Sequence, residues 1–79
     1  MKPARDPHTK KLRNLRKTIG ANIRVHRLKH RITLVRLSSL TKINPHRLDM
    51  FEMGKDEIDL HHMLRIAAVL KCDVNSLLA

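Results

Sequence analysis

The chain has 79 residues, with 17 lysines and arginines against 7 acids and a formal net charge of +10 with histidine neutral. That length holds one small domain, the 42% apolar content excludes wholesale disorder, and a single cysteine excludes an internal disulfide and an all-cysteine zinc site. The longest apolar run, residues 66–70, is far too short to cross a bilayer and the N-terminus carries no secretory pattern, so a cytoplasmic, reducing setting is expected.

Taken in order, Asp6-Pro7 reads as an N-cap followed by proline at the first helical position. Leu12, Leu15, Ile19 and Ile23 follow at helical spacing on one face. Two readings stay open here. One is a single helix over residues 7–30, in which Gly20 costs about 1 kcal/mol against alanine. The other is an arm without fixed structure as far as Thr18, where the helix starts. Thr33 caps a short helix with Leu37 and Leu40 on its inner face. The turn Lys42-Ile43-Asn44-Pro45 leads into a helix capped by Asn44, with Leu48 and Phe51 inward and Gly54 at its end. Asp59 caps a longer helix to about Leu70, with Leu60, Met63, Leu64, Ala67 and Leu70 spaced for burial. Asp73 caps a last short helix ending in Leu77-Leu78. With one aromatic residue and no alternating run between turn signals, no strand is predicted. Met50, Met53 and Met63 read as gap-fillers or surface residues.

The charge is unevenly placed. Residues 1–31 hold eleven bases and one acid, whereas residues 32–79 balance six bases with six acids. A basic segment joined to a neutral globular part points to a polyanion partner. It divides the chain into a basic N-terminal arm or helix extension, residues 1–17, and a domain over residues 18–79. Within that domain, residues 33–52 form two short helices around a tight turn, a unit whose second helix can enter a major groove while the first crosses the phosphate backbone.

From Ile19 to Leu78 the residues resemble the phage-repressor/Cro-type (xenobiotic-response-element-like) helix-turn-helix family. The resemblance rests on Ile19-Gly20, Ile23 and Arg27, then Ile32-Thr33 and Leu37, and Ile43-Asn44 at the turn. It continues with Leu48, Phe51, Glu52, Gly54 and Lys55, then Asp59-Leu60, Leu64, Ile66-Ala67 and Leu70, and closes with Leu77-Leu78. It implies an all-α fold, a compact five-helix lambda-repressor-like domain with a basic N-terminal extension. It further implies a sequence-specific DNA-binding transcriptional regulator, bacterial or phage-encoded and nucleoid-associated, acting as a homodimer on a palindromic operator in double-stranded DNA. By the same resemblance Thr33, Asn44 and Lys55 face backbone phosphates, and Arg27 pairs with Glu52, which turns its guanidinium towards DNA. Lys42 and the arm residues Lys10, Lys11, Arg13, Arg16 and Lys17 are further phosphate candidates.

Several residues depart from the family pattern. Pro45, His46, Asp49 and Met50 fall on the base-reading face, where arginine, asparagine or glutamine would pair best with bases. His46, Arg47 and Met50 are the readers available. Leu34 replaces a polar residue, Lys42 and Arg31 each replace a glycine, and His26 sits at an apolar position. Val74, Leu77 and Leu78 are the predicted dimer face, with Leu12 and Leu15 a second seam if the arm is helical. His26 and His30 have metal-binding spacing, but no acid or cysteine completes a cluster, so neither metal nor cofactor is predicted. Cys72 reads as a small buried filler. No nucleophile-base-acid arrangement or glycine-rich phosphate loop is visible, so no enzyme is predicted. Because the sequence stops after the fifth helix, no effector-binding or self-cleaving second domain is expected. Two alternatives remain: a protein-interaction module of the same fold, antitoxin-like or binding a regulator, suggested by Asp49, Glu52, Asp56 and Glu57; and a basic helix for RNA or a membrane surface, for which residues 7–31 lack aromatic anchors.

Overall fold

Three helix starts in this chain are set by short polar side chains that take up free backbone N–H groups. A computed structural model describes residues 7–79, in which five helices occur: α1 (Pro7–Lys29), α2 (Leu34–Thr41), α3 (Pro45–Glu52), α4 (Leu60–Val69) and α5 (Val74–Leu78). The Asp6 cap lies outside the described residues. Thr33 Oγ1 accepts from the Arg36 N–H at 3.0 Å, and Asn44 Oδ1 from the His46 N–H at 2.8 Å with Pro45 in the first turn. Asp59 Oδ1 accepts from the His62 N–H at 2.8 Å and lies 2.7 Å from His62 Nδ1. The His62 backbone bond first, then its side chain, hold the Asp59 carboxyl below the ordinary carboxylate range. A depressed carboxyl stabilises the fold above the unfolded-state value, and that contribution is lost as pH falls through the folded one. Asp73 occupies the corresponding position of α5 but makes no side-chain bond to it, so the cap read there does not form. That short helix is held from elsewhere, by Asn22 Nδ2 donating to the Leu77 carbonyl at 2.8 Å.

Four corners use the left-handed backbone region, at Arg31 (φ 56°), Lys42 (φ 63°), Gly54 (φ 70°) and Lys71 (φ 53°). Long closing bonds run from the Ile32 N–H to the Arg27 carbonyl, Lys55 to Met50, and Cys72 to Ala67. Three of these corners are turned by a cation where glycine would cost about 1 kcal/mol less. A positive side chain beside the negative end of the preceding helix offsets part of that.

The core is made by Ile19 and Ile23 of α1, Leu37 of α2, Ile43 in the turn, Leu48 and Phe51 of α3, Met63, Ile66, Ala67 and Leu70 of α4, and Leu77 of α5. α1 packs on α3 and α5, while α2 packs on α3 and α4. Three expectations change. Leu40 is 44% exposed, because the inward line of the two-turn α2 runs through Leu37 and Thr41 instead. The buried Thr41 hydroxyl is satisfied by donating to the Leu37 carbonyl at 2.7 Å. On α4 the inward line is Met63, Ile66, Ala67 and Leu70, which leaves Leu60 and Leu64 on an exposed flank. Leu77 is fully buried within its own chain, under α1, so it is removed from the dimer face. Val74 is half-buried and Leu78 exposed. Among the described residues no helix is long and apolar enough to cross a membrane.

Of the two readings of the first segment, the structure has the single long helix, roughly 35 Å at 1.5 Å per residue. Gly20 is what joins it to α3. A Cβ at Gly20 would overlap the Phe51 carbonyl oxygen and come within 2.6 Å of that of Glu52. The glycine that looks like a helix weakness is the point of closest approach between α1 and the end of α3. One turn earlier, a Cβ on Gly54 would lie 2.8 Å from Lys17 Cα. Gly20→Ala is therefore expected to destabilise the fold by about 1–3 kcal/mol in urea denaturation, the cost of forced overpacking. A helix governed by intrinsic propensity would instead gain about 1 kcal/mol from the same substitution.

Candidate nucleic-acid interface

The two turns of α3 present one side to the core through Leu48 and Phe51. At 100° per residue this leaves Pro45, His46, Asp49, Met50 and Met53 on the outer side. His46 is exposed and Asp49 and Met50 are half-buried. Arg47 is placed differently from the other two predicted readers. It sits on the flank of α3, where its Nε donates to Asp56 Oδ2 at 3.4 Å and its guanidinium lies 5.3 Å from the centre of the Phe51 ring. The i,i+4 spacing to Phe51 makes the ring contact a local one, whereas the position of Arg47 gave no sign of Asp56, which belongs to the following loop.

Around the helix pair, Thr33, Lys42, Asn44 and Lys55 are all exposed. Thr33 and Asn44 already cap their helices with the oxygen of the side chain, which leaves the Thr33 hydroxyl proton and the Asn44 amide group as donors. Arg27 is held tightly. Its Nε donates to Glu52 Oε2 at 2.7 Å, its Nη2 to Oε1 at 3.0 Å and its Nη1 to the Ile32 carbonyl at 2.9 Å. The two side chains are only 12% and 4% exposed. The hydrogen bond to Glu52 raises the guanidinium above its ordinary pKa against the opposing effect of burial, with the charges of Glu52 and Asp49 adding to it. Three of the five guanidinium N–H groups are thus used inside the protein, which ties α1, α3 and the α1–α2 corner together.

The structure separates the predicted arm residues. Lys10, Arg13 and Lys17 lie at spacings of three and four on one exposed stripe of α1, continued two turns on by Arg24. The stripe borders the side of α1 that receives the end of α3, since Lys17 meets Gly54 and Gly20 meets Phe51 and Glu52. Lys11 points from another face. Arg16 turns inward to Glu57 Oε2 at 3.6 Å, and its Nε is buried without a hydrogen-bond partner among the described residues. Arg16 and Arg47 share a cleft of about 380 Å³ with Leu12, Leu15, Ile58 and the acids of the α3–α4 loop. Sequence reasoning missed Arg65, whose Nη1 donates to the Thr41 carbonyl at the end of α2 at 3.2 Å, and Asn22. Both act between distant segments, so no local pattern marks them. The Cys72 thiol is half-buried and pushed up by that burial, then by the charge of Asp73.

A family model for the Cro/C1-type HTH DNA-binding domain matches residues 22–79. Two crystal structures of the clp gene regulator ClgR from Corynebacterium glutamicum are similar to this chain at 26% identity. The first superposes with a TM-score of 0.78 over 81% of this chain and 68% of the other, the second with 0.77 over 81% and 83%. No protein of curated function matches the chain.

The pair of Arg27 and Glu52 offers a direct test of what holds α1 to α3. Glu52→Gln leaves a nearly buried guanidinium without its countercharge and is expected to cost about 3 kcal/mol in urea denaturation. Replacing both partners, Arg27→Met with Glu52→Leu, is expected to restore most of that loss, because no buried charge is then left alone. A loss of under about 0.5 kcal/mol in Glu52→Gln would show that the pair contributes little to the fold.

Proposed function

Because this chain belongs to the Cro/C1-type helix-turn-helix DNA-binding domain family, we propose that it is a transcriptional regulator that binds a palindromic operator as a homodimer. On this reading α3 lies in the major groove with His46 and Met50 towards base edges, where Met50 suits a thymine methyl and His46 can donate or accept. Thr33, Lys42, Asn44 and Lys55 hold backbone phosphates around it, joined by the two remaining N–H groups of Arg27.

The observation that carries the proposal is the single orientation of the two candidate surfaces. The stripe of Lys10, Arg13, Lys17 and Arg24 borders the same flank of α1 that grips the end of α3. A duplex against the outer side of α3 then runs past a row of cations, and the +10 carried by residues 1–31 supplies affinity to a reader helix that lies in the neutral stretch, residues 32–79. Val74 and Leu78 remain dimer-face candidates, with Leu12 and Leu15, 52% and 41% exposed, as a second seam.

The acids that suggested a protein-interaction module support that alternative less than they did in sequence. Glu52 pairs with Arg27, Asp56 with Arg47 and Glu57 with Arg16, which leaves Asp49, half-buried on the outer side of α3, as the acid that still favours it.

The test is the salt dependence of DNA binding. For the full chain and for Lys10→Gln with Arg13→Gln and Lys17→Gln, log K is measured against log salt on one duplex. Each phosphate neutralised contributes about 0.9 to the slope, so the variant is expected to lose two to three from it while unfolding as the parent does. Equal slopes would remove the helix extension from the interface.

A further inference from the structure

Arg47 is the one strong base reader on the first turn of α3, yet its side chain is directed along the flank of the helix. Two groups hold it there. Asp56 Oδ2 accepts from its Nε at 3.4 Å, and the Phe51 ring lies 5.3 Å from its guanidinium carbon. Asp56 is itself fixed, because its other oxygen accepts from the Glu57 N–H at 2.8 Å. The loop carrying it is anchored in turn by Gly54, whose close fit against Lys17 leaves no room for a side chain. The acceptor is therefore short and tied to the loop backbone, while the arginine is long and half-exposed.

The holding interaction is a weak one. Arg47 and Asp56 are 46% and 40% exposed, the range in which an ion pair and a cation–ring contact together are readily exchanged for a better partner. From the flank of α3, a long side chain rotated about its own torsions reaches the outer side that His46 and Met50 occupy. A guanine offers O6 and N7 to the guanidinium fork, a bidentate contact stronger than the one it would give up.

We infer that Asp56 is a specificity-determining residue, a latch that keeps Arg47 parked on Phe51 until a guanine beside the first turn of α3 draws it out. The inference rests on the DNA-binding role proposed above. In this state Arg47 adds little to binding at random sequence, because leaving Asp56 gains nothing. At a site with guanine in reach the exchange is favourable, so the latch widens the gap between the right sequence and the wrong ones.

Asp56→Asn keeps the oxygen that accepts from the Glu57 N–H and replaces the other by an amide that repels the Arg47 N–H groups. The experiment measures affinity of the full chain for a duplex chosen by selection from a random pool and for a scrambled duplex, in the parent, Asp56→Asn, Arg47→Gln and the double variant. Thermal unfolding of each variant checks that the fold is kept. Asp56→Asn is expected to bind the scrambled duplex about three- to ten-fold more tightly, narrowing the ratio between the two duplexes. In the Arg47→Gln background the same substitution is expected to change affinity by less than about two-fold, since the latch has nothing left to hold. An equal gain in both backgrounds would mean that Asp56 acts only by repelling phosphate, and would overturn the inference. Weaker binding by Asp56→Asn would also overturn it, since Asp56 would then be aiming Arg47 at DNA. A parent chain that binds neither duplex would instead contradict the DNA-binding role itself, which separates the two failures.

Discussion

The close contact between Gly20 and the last carbonyls of α3 governs how the rest of this molecule is arranged. No side chain fits at position 20 between α1 and the end of α3, so the two helices meet backbone to backbone there. Two turns further along α1, the bidentate pair of Arg27 and Glu52 locks the same junction with opposite charges that are almost wholly buried. One turn earlier, Lys17 closes over Gly54 and positions the α3–α4 loop. Three contacts spaced along one helix fix its rotation and its register against α3. Because α1 is continuous from Pro7, that rotation is carried out to Lys10. The basic extension is thereby held at a set angle to α3.

The same junction also takes up some of the positive charge. Of the arginines nearest α3, three are each met by a carboxylate, in Arg27 with Glu52, Arg47 with Asp56 and Arg16 with Glu57. They differ in depth. The first is buried and structural, and the other two are exposed pairs of the kind that contribute little to stability and exchange easily. The outer stripe of α1 carries Lys10, Arg13, Lys17 and Arg24, all exposed, where they can meet phosphate without disturbing the fold. On the proposed reading, affinity and base reading fall to different parts of one fold.

Much of the fold was legible in the sequence because its signals are local. Thr33, Asn44 and Asp59 announce helix starts by the same hydrogen bonds that the structure contains. The pairing of Arg27 with Glu52, in contrast, followed from the family resemblance and not from any spacing. What sequence reasoning misjudged depends on contacts between distant segments. Gly20 reads locally as a cost to a helix, and only the carbonyls of residues 51 and 52 make it a requirement. Leu77 reads as an apolar residue needing cover from a second copy, but α1 of its own chain supplies that cover through Asn22 and the core. Leu40, Leu60 and Leu64 have helical spacing that is compatible with burial, yet short helices fix their rotation by whichever neighbours pack best, here Thr41 and Ile66. Arg47 was assigned to reading by its place on α3, and its side chain is turned by an acid nine residues away in the loop.

On the proposed reading, the outer side of α3 and the basic stripe of α1 form one continuous DNA-facing surface. Amide chemical-shift mapping of the isotope-labelled full chain, titrated with the duplex that it selects from a random pool, tests this most directly. The account predicts that shifts at His46, Asp49 and Met50 grow in step with those at Lys10, Arg13, Lys17 and Arg24, at one common dissociation constant. Shifts confined to the α1 stripe with α3 unmoved, or concentrated on the exposed flank of α4 at Leu60 and Leu64, would contradict it.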